Sequence, residues 1–388
     1  MLRSDLAVIG GGPAGLAAAI EAAKRGCRAT VVEMNHRAGG QLVKQIHKFF
    51  GSRERGAGKR GFALAEELAE EARRVGVEFL LDWEVFNIDG EQLRIDASHS
   101  QLKAPPEHSL GGIPQLSLTG SCHCREIAAK SIILATGAEE NAIPFEGWTL
   151  PGVMGAGAAQ TMANVWRVRP GHRVLMVGAG NVGLIVTYQL LQAGVDVAAI
   201  VEAAPGIGGY SVHAAKVRRA GVPVLLRHTV VSASGEDRVD EAIICRLDEE
   251  GREVEGSRKP LGVDTICIAT GMRPNIRAAA LAGCRLTYSK VLGGWLPSHN
   301  KWLETSCRGI YVAGDAAGIG EASTAIEEGK LAGICAAEAL GHGSLKESSE
   351  RSEITTQLRL LRGGIAEKVR HAKEEVMGTS EIRGGGHG

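Results

Sequence analysis

Two glycine-rich runs carry residue types and spacings that could hold a phosphate. The first is Gly10-Gly11-Gly12-Pro13-Ala14-Gly15, followed downstream by Glu33. The second is Gly178-Ala179-Gly180-Asn181-Val182-Gly183, followed by Glu202. In such a run the first glycine permits a tight turn, the second lets the backbone approach a pyrophosphate, and the third lets a helix pack closely on a strand. Unpaired N–H groups at the helix start then face the phosphates. The acid further on is placed to accept hydrogen bonds from ribose hydroxyls. G-x-G-x-x-G alone is a weak signal; set between a strand and a helix with an acid about 20 residues on, it is a strong one.

The elements that must position these residues are legible around them. Residues 5–10 (DLAVIG) read as a buried strand, 13–26 as an alanine-rich helix closed by Gly26, and 28–33 (RATVVE) as a second strand ending on the acid. The pattern returns at 173–202, with RVLMVG, a helix from Asn181, and DVAAIVE. Two further strands, SIILATGA (131–138) and TICIATGMRPN (265–275), each run into Ala-Thr-Gly. GIYVAGDAAG (309–318) is another strand into a turn, followed by an alanine-rich helix. The expected fold is therefore α/β: two Rossmann-like nucleotide-binding folds, each on a central parallel sheet, the second inserted in the first. The expected boundaries are 1–143 with 272–343 for the first fold, 144–271 for the second, and 344–388 as a polar, partly helical tail with a helical stretch near 354–377. Residues 141–152 read as a crossover linker and 99–118 as a hairpin or surface insertion.

Glu202 is followed by Ala203, Ala204 and Pro205, with no arginine cluster to receive a 2′-phosphate. The second fold therefore favours NAD over NADP, with a retained fold that binds no dinucleotide, or one that binds another adenine nucleotide, as the alternatives.

The order GGGPAG, GGQL, ATG, GAGNVG, ATGMRPN and GDAAG resembles the two-dinucleotide-fold flavoproteins, the glutathione and thioredoxin reductases and their relatives. The resemblance spans roughly residues 5–340 and implies FAD in the first fold and NAD(P) in the second. It implies that Gly10, Gly12, Pro13, Ala14, Gly15 and Glu33 hold the FAD diphosphate and adenosine. Gly40 and Gln41 would lie near the ribityl chain and flavin, Val85 would pass the adenine, and Thr136-Gly137 would run beside the diphosphate. Gly314-Asp315 would meet the ribityl or diphosphate region. The helix from about Ser323 would point its N-terminus at the flavin pyrimidine. In the second fold Gly178, Gly180, Asn181, Val182, Gly183, Glu202 and Gly271 are the nucleotide-binding candidates.

The chain departs from the disulfide reductases at its thiols. Its eight cysteines (Cys27, Cys122, Cys124, Cys245, Cys267, Cys284, Cys307 and Cys335) contain no C-x-x-C pair. Cys122 and Cys124 form a C-x-C in SCHCRE, read as strand packing, and no metal site is expected. The runs at 41–62 and 147–164 are similar instead to the α-type flavin subunits of opine oxidase, L-proline dehydrogenase, sarcosine oxidase and hydrogen cyanide synthase. That resemblance implies three partners: a second flavoprotein subunit, a separate small iron–sulfur protein, and a small-molecule amine or amino acid as donor. A stand-alone NADH:acceptor reductase working on a quinone or ferredoxin is the alternative. A non-catalytic nucleotide-binding subunit is the third reading.

Lys44 and His47 are the weak catalytic candidates beside the flavin itself. They lie in the basic segment 44–60, which also holds Lys48, Arg53, Arg55, Lys59 and Arg60. A solvated loop is the ordinary reading of such a run; its position after Gly40-Gln41 suggests a carboxylate clamp or a docking point. Lys+Arg and Asp+Glu both number 44, so the net charge is zero, which argues against nucleic acid as a partner. The apolar N-terminus is broken by glycines, and no run reaches the ~18 apolar residues of a membrane span. The chain is thus expected to be cytoplasmic.

Overall fold

The computed structural model describes residues 1–49, 58–91, 93–99, 123–343, 349–363 and 367–381. The chain divides into two units. Met1–Leu42, Ala63–Ala138 and Arg273–Gly388 form the first; Val43–Phe62 and Glu139–Met272 form the second.

In the first unit β1 (Leu2–Ile9), α1 (Pro13–Lys24) and β2 (Ala29–Glu33) build the first strand–helix–strand. With β3 (Glu78–Leu81), β4 (Trp83–Asp89), β5 (Arg94–His99) and β6 (His123–Leu134) the sheet order is β3-β2-β1-β6-β5-β4. The strand Ile310–Val312 pairs in parallel with the end of β6, Ile310 opposite Ile132. Side chains alternate across the pleat. Leu6, Val8, Val31 and Ile133 enter one core, with α1 and the helix Ala322–Ala339. Ala7, Ile9, Val32, Ile132 and Leu134 enter another on the opposite face. Both faces are covered, which is why these strands read as unbroken apolar runs.

The helix Ala322–Ala339 lies against α1 with almost no room between the backbones. A Cβ added to Gly329 would stand 2.1 Å from the Ala14 carbonyl oxygen, and one added to Gly333 would stand 2.2 Å from that of Ala18. Glycine on one helix facing alanine on the other, one turn apart, is what allows the approach.

The second unit repeats the plan. Val153–Gly155, Arg173–Val177, Asp196–Glu202, Val224–Leu226 and Thr265–Ile268 form a five-stranded parallel sheet. Val174, Met176 and Cys267 pack with the helix Asn181–Gln192 on one face. Leu175, Val177 and Ile266 pack on the other, against strands of the antiparallel trio His228–Ser234, Glu241–Arg246 and Lys259–Gly262.

Three findings differ from the sequence reading. Residues 43–62 group with the second unit, not the first, because Lys44 bonds Gly157, Asn164 bonds the Lys44 carbonyl, and His47 faces His213. The chain passes from one unit to the other after 138 and 272 rather than at 143 and 271. The tail holds two helices, Ser349–Leu361 and Glu367–Glu381, in place of one stretch near 354–377, and it belongs to the first unit. Ile354 and Leu358 enter the core beside α1. Most of 99–118, with Cys122, Arg53 and Arg55, lies outside the described residues. Among the described residues no helix is long and apolar enough to cross a membrane.

Replacing Gly329 or Gly333 by valine should destabilise the first unit by about 3 kcal/mol, because the new Cβ meets a backbone carbonyl that cannot swing away. Gly206→Ala, where an added Cβ meets nothing within 4 Å, should change stability by under ~0.5 kcal/mol. Urea unfolding followed by circular dichroism measures both.

Candidate functional site

In the first unit the chain leaves β1 through Gly10, whose φ of +102° is strained for any side chain. An added Cβ there would stand 2.3 Å from the Ala135 carbonyl oxygen, and one on Gly15 would stand 1.9 Å from that of Gly10. The turn is therefore closed against the end of β6, and α1 starts directly above it. Pro13 is the first helical residue and Gly12 the N-cap, with no side-chain cap on the helix donors. A Cβ on Gly12 would meet only Gly40 Cα, at 3.8 Å. The helix start thus offers N–H groups and an open approach to an anion.

Other chain segments converge on this turn. Gly40, with φ of +53°, comes so near that its Cβ would stand 2.7 Å from Gly12 Cα, and Gly39 N–H donates to the Gly11 carbonyl at 2.7 Å. Gln41 follows, exposed. Gly314, with φ of +72°, approaches Ala14 Cβ to 2.9 Å by the same measure. Glu33 is buried at 4% exposure; its Oε2 accepts from Gly11 N–H at 2.7 Å and its Oε1 from Asn35 N–H at 2.9 Å and from Asn35 Nδ2 at 2.5 Å. A carboxylate has about four acceptor positions, so capacity remains for a hydroxyl. Thr136 Oγ1 donates to the Asn275 carbonyl at 2.8 Å, and Asn275 N–H donates to Gly137 O at 2.9 Å. Ser323 stands in the first turn of Ala322–Ala339. Val85 lies half-buried on β4, packed against the core on the second face of the sheet.

Asp315 follows Gly314 and accepts from Gly320 N–H at 3.0 Å. Burial pushes its carboxyl up to about 6, with the charge of Glu328 adding to the effect. Glu328 itself is not a candidate that the sequence motifs pick out. Its Oε2 accepts from Gly314 N–H at 2.8 Å. The signal that could have found it is two adjacent acids, Glu327-Glu328, inside an otherwise Ala/Gly-rich helix.

The second unit holds a near copy of the turn. Gly178 has φ of +109°, and its added Cβ would stand 2.3 Å from the Ala269 carbonyl oxygen. Gly183 lies over Gly178 as Gly15 lies over Gly10, at 2.0 Å. Gly180 is the uncapped N-cap of Asn181–Gln192, and a Cβ there would meet nothing within 4 Å. Glu202 Oε2 accepts from Ala179 N–H at 2.7 Å and Oε1 from Ala204 N–H at 2.9 Å. Val182 packs into the helical core. Asn181 Oδ1 accepts from Tyr210 N–H at 2.8 Å, which draws Gly209 onto Gly180. Gly271, with φ of +106°, accepts from Asn141 N–H at 3.0 Å, and Thr270 Oγ1 donates to the Asn141 carbonyl at 3.1 Å. Each unit thus ties its Ala-Thr-Gly to the asparagine of the other A-T-G-x-x-x-N segment. That repeat, and Gly209 as the counterpart of Gly40, stand in the sequence, but only the fold shows what they do.

The two weak catalytic candidates belong to the second unit. Lys44 Nζ donates to Gly157 O at 3.1 Å; burial lowers its ammonium, and Glu140 pulls it back up. Burial, then the neighbouring His213 and Lys216, hold the His47 ring at about 4. His47 is therefore neutral near pH 7 and poorly suited to deliver a proton. Lys48, Lys59 and Arg60 are exposed. Burial pushes the Cys267, Cys284 and Cys335 thiols up to about 12 and Cys27 to about 11, so these are inert thiols and not nucleophiles. Cys124 is exposed on β6.

With this geometry in hand, comparison with known proteins is informative. The family model for pyridine nucleotide-disulphide oxidoreductases matches residues 4–329. An opine oxidase subunit from Agrobacterium tumefaciens (strain Ach5) is 30% identical over 372 residues, covering 92% of this chain and 71% of that one. Hydrogen cyanide synthase subunit HcnB of Pseudomonas aeruginosa is 27% identical, covering 84% and 69%. Among solved structures, L-proline dehydrogenase from P. horikoshii superimposes with a TM-score of 0.66 at 23% identity, covering 92% of this chain and 59% of that one. That last likeness shows the fold, two Rossmann-like domains in one chain. The paired glycine turns, each closed by its acid and its Ala-Thr-Gly strand, and a family match that runs through both of them make this chain an oxidoreductase belonging to the pyridine nucleotide-disulphide oxidoreductase family.

Proposed function

We propose that the protein is an FAD-dependent oxidoreductase that works as one subunit of a heteromeric amine or amino-acid dehydrogenase. The observation that carries the flavin reading is the convergence of Gly12, Gly40 and Gly314 on one open, uncapped helix start beside the buried Glu33. FAD, when bound, supplies the electron-accepting and electron-donating chemistry. The chain's own residues do the holding. Glu33 accepts ribose hydroxyls, the first turn of α1 faces the diphosphate, and Gly314-Asp315 meets the ribityl side. The helix start at Ser323 directs its positive end toward the flavin.

The subunit reading rests on the names of the relatives, an opine oxidase subunit and hydrogen cyanide synthase subunit HcnB. The chemistry of the thiols agrees with it. With no C-x-x-C and with its buried thiols held at high pKa, the chain lacks a disulfide relay, and electrons leave the flavin by another route. We assign that route to a second flavoprotein subunit, with a small iron–sulfur protein as a further carrier and an amine or amino acid as the ultimate donor. A second reading, an NADH:acceptor reductase, is favoured by one observation: the turn at Gly178–Gly183 repeats the close glycine contacts of the first turn, with Glu202 in the place of Glu33.

Cofactor release from the purified chain should yield FAD. Anaerobic titration then separates the readings. Bleaching by NADH and not by amino acids supports the reductase; bleaching by amino acids only when the partner is co-purified supports the heteromeric enzyme. Complete amino-acid oxidation by the isolated chain would sink the partner claim, and a flavin that no donor reduces would leave only a nucleotide-holding role. Glu33→Ala should weaken FAD binding by roughly tenfold to a hundredfold, the worth of a hydrogen bond to a charged group. Glu202→Ala should leave FAD in place and act on the second nucleotide alone.

Asp315 gives a test by pH. An unfolded aspartate titrates near 4, and burial moves this one to about 6. Folding therefore takes up a proton between those values, and stability falls as pH rises through that window. At pH 7.5 the full penalty is present. Asp315→Asn should raise the stability of the FAD-free protein at pH 7.5 by on the order of 1–2 kcal/mol, with the gain vanishing below about pH 4, while weakening FAD. Urea midpoints at pH 7.5 and 4, with flavin fluorescence for the affinity, give the answer.

A further inference from the structure

The helix Glu367–Glu381 aims a lysine into the first unit. Lys373 is 3% exposed; its Nζ donates to the Ala317 carbonyl at 2.9 Å and to Glu328 Oε1 at 2.7 Å. Arg362, at the end of the preceding helix, bonds the same carboxylate oxygen. The other oxygen of Glu328 takes the Gly314 N–H. The short 3-10 turn Gly314–Ala317 is therefore gripped at both ends, through Glu328 at its first residue and by Lys373 at its last. Gly318, with φ of +124°, lies close over the Lys373 stem, an added Cβ standing 3.3 Å from Cε.

The lysine is not needed to dock its helix. Ala372 and Val376 already pack with Leu292 and Leu296 in an apolar cluster. Burying an ion pair is a poor way to gain stability, since desolvation offsets the attraction, and an apolar side chain there would do as well or better. Lys373 and Arg362 hold the Glu328 carboxyl below the ordinary range although burial alone would raise it. His299, 1% exposed with Nδ1 on the Pro297 carbonyl, is held neutral by burial and adds no charge. The charge of Asp315 also faces Lys373, so at pH 7.5 the two cations stand among two carboxylates beside the Gly314–Ala317 turn.

We propose that the terminal helix is part of the flavin site: Lys373, acting through Glu328 and the Ala317 carbonyl, is a positioning residue for the Gly314–Ala317 turn, and its ammonium adds positive charge beside the group bound there. The inference rests on the FAD reading above. It adds a residue from a region that sequence inspection treats as a polar tail.

Three variants of the full chain test it: Lys373→Met, Lys373→Arg, and Lys373→Met with Glu328→Gln. FAD affinity is read by flavin fluorescence, the midpoint potential of bound flavin by dye equilibration, and the fold by circular dichroism. Lys373→Met removes one positive charge and the grip together; FAD should bind at least tenfold more weakly and the potential should fall. Lys373→Arg should keep the potential close to that of the wild type. The double variant restores the net charge through Arg362 but not the grip, so affinity should stay at least tenfold weaker while the potential returns. It also removes both members of the pair, so it remains informative if the single variant strands Glu328 and does not fold. Folded Lys373→Met or double variants with wild-type affinity overturn the proposal and leave Lys373 a structural residue. Absence of FAD from the wild-type chain itself would instead defeat the underlying FAD reading, and the inference with it.

Discussion

The first unit depends on one steric constraint, the absence of side chains where α1 meets the helix Ala322–Ala339. Gly329 and Gly333 let that helix rest on the carbonyls of Ala14 and Ala18. The contact sets the second turn of that helix beside the start of α1, whose Ala14 also meets Gly314. A single carbon added on the glycine face would push the second helix outward and away from the start of α1. Hydrophobic burial holds the helices onto the sheet, but glycine decides how close they come. The same logic operates at smaller scale inside each turn, where Gly10 and Gly178 accept a carbonyl at a distance no Cβ tolerates.

The two units solve one problem twice. In each, a glutamate at a strand end reaches back to a backbone amide of the glycine turn, at 2.7 Å in both. That bond holds the acid oriented at the lip of the turn while leaving lone pairs free. The units differ in what surrounds the turn. In the first, the ring of neighbours is completed by Gly314-Asp315, Glu328 and the terminal helix, and it is charged. In the second, the loop through Gly209 and Tyr210 closes over the turn by an uncharged bond to Asn181.

Much of this was legible in the sequence, and the limits have physical causes. β1, α1 and β2 fall within three residues of their expected ends because unbroken apolar strands, an alanine run and a closing glycine are local signals. The glycine turns and their acids follow from spacing alone. The Thr136–Asn275 and Thr270–Asn141 bonds join residues 139 and 129 positions apart, and no periodicity reports on such a pair. Residues 43–49 are harder still to place, since a basic run reads the same whichever surface it lies on. The terminal helix hides its lysine because Lys373 sits among exposed charged neighbours, and only the fold shows that it turns inward.

The discontinuity of the first unit also bears on how the protein is made. Its strands β1 and β2 leave the ribosome first, but the helix that must lie on α1 begins at Ala322, and the lysine that grips its turn is at 373. The second unit, most of it contiguous between 139 and 272, is complete long before. During synthesis the chain therefore carries a finished inner domain and an unfinished outer one, whose apolar sheet face waits for its last helices. Such a long delay between a strand and its cover raises the risk of misassembly.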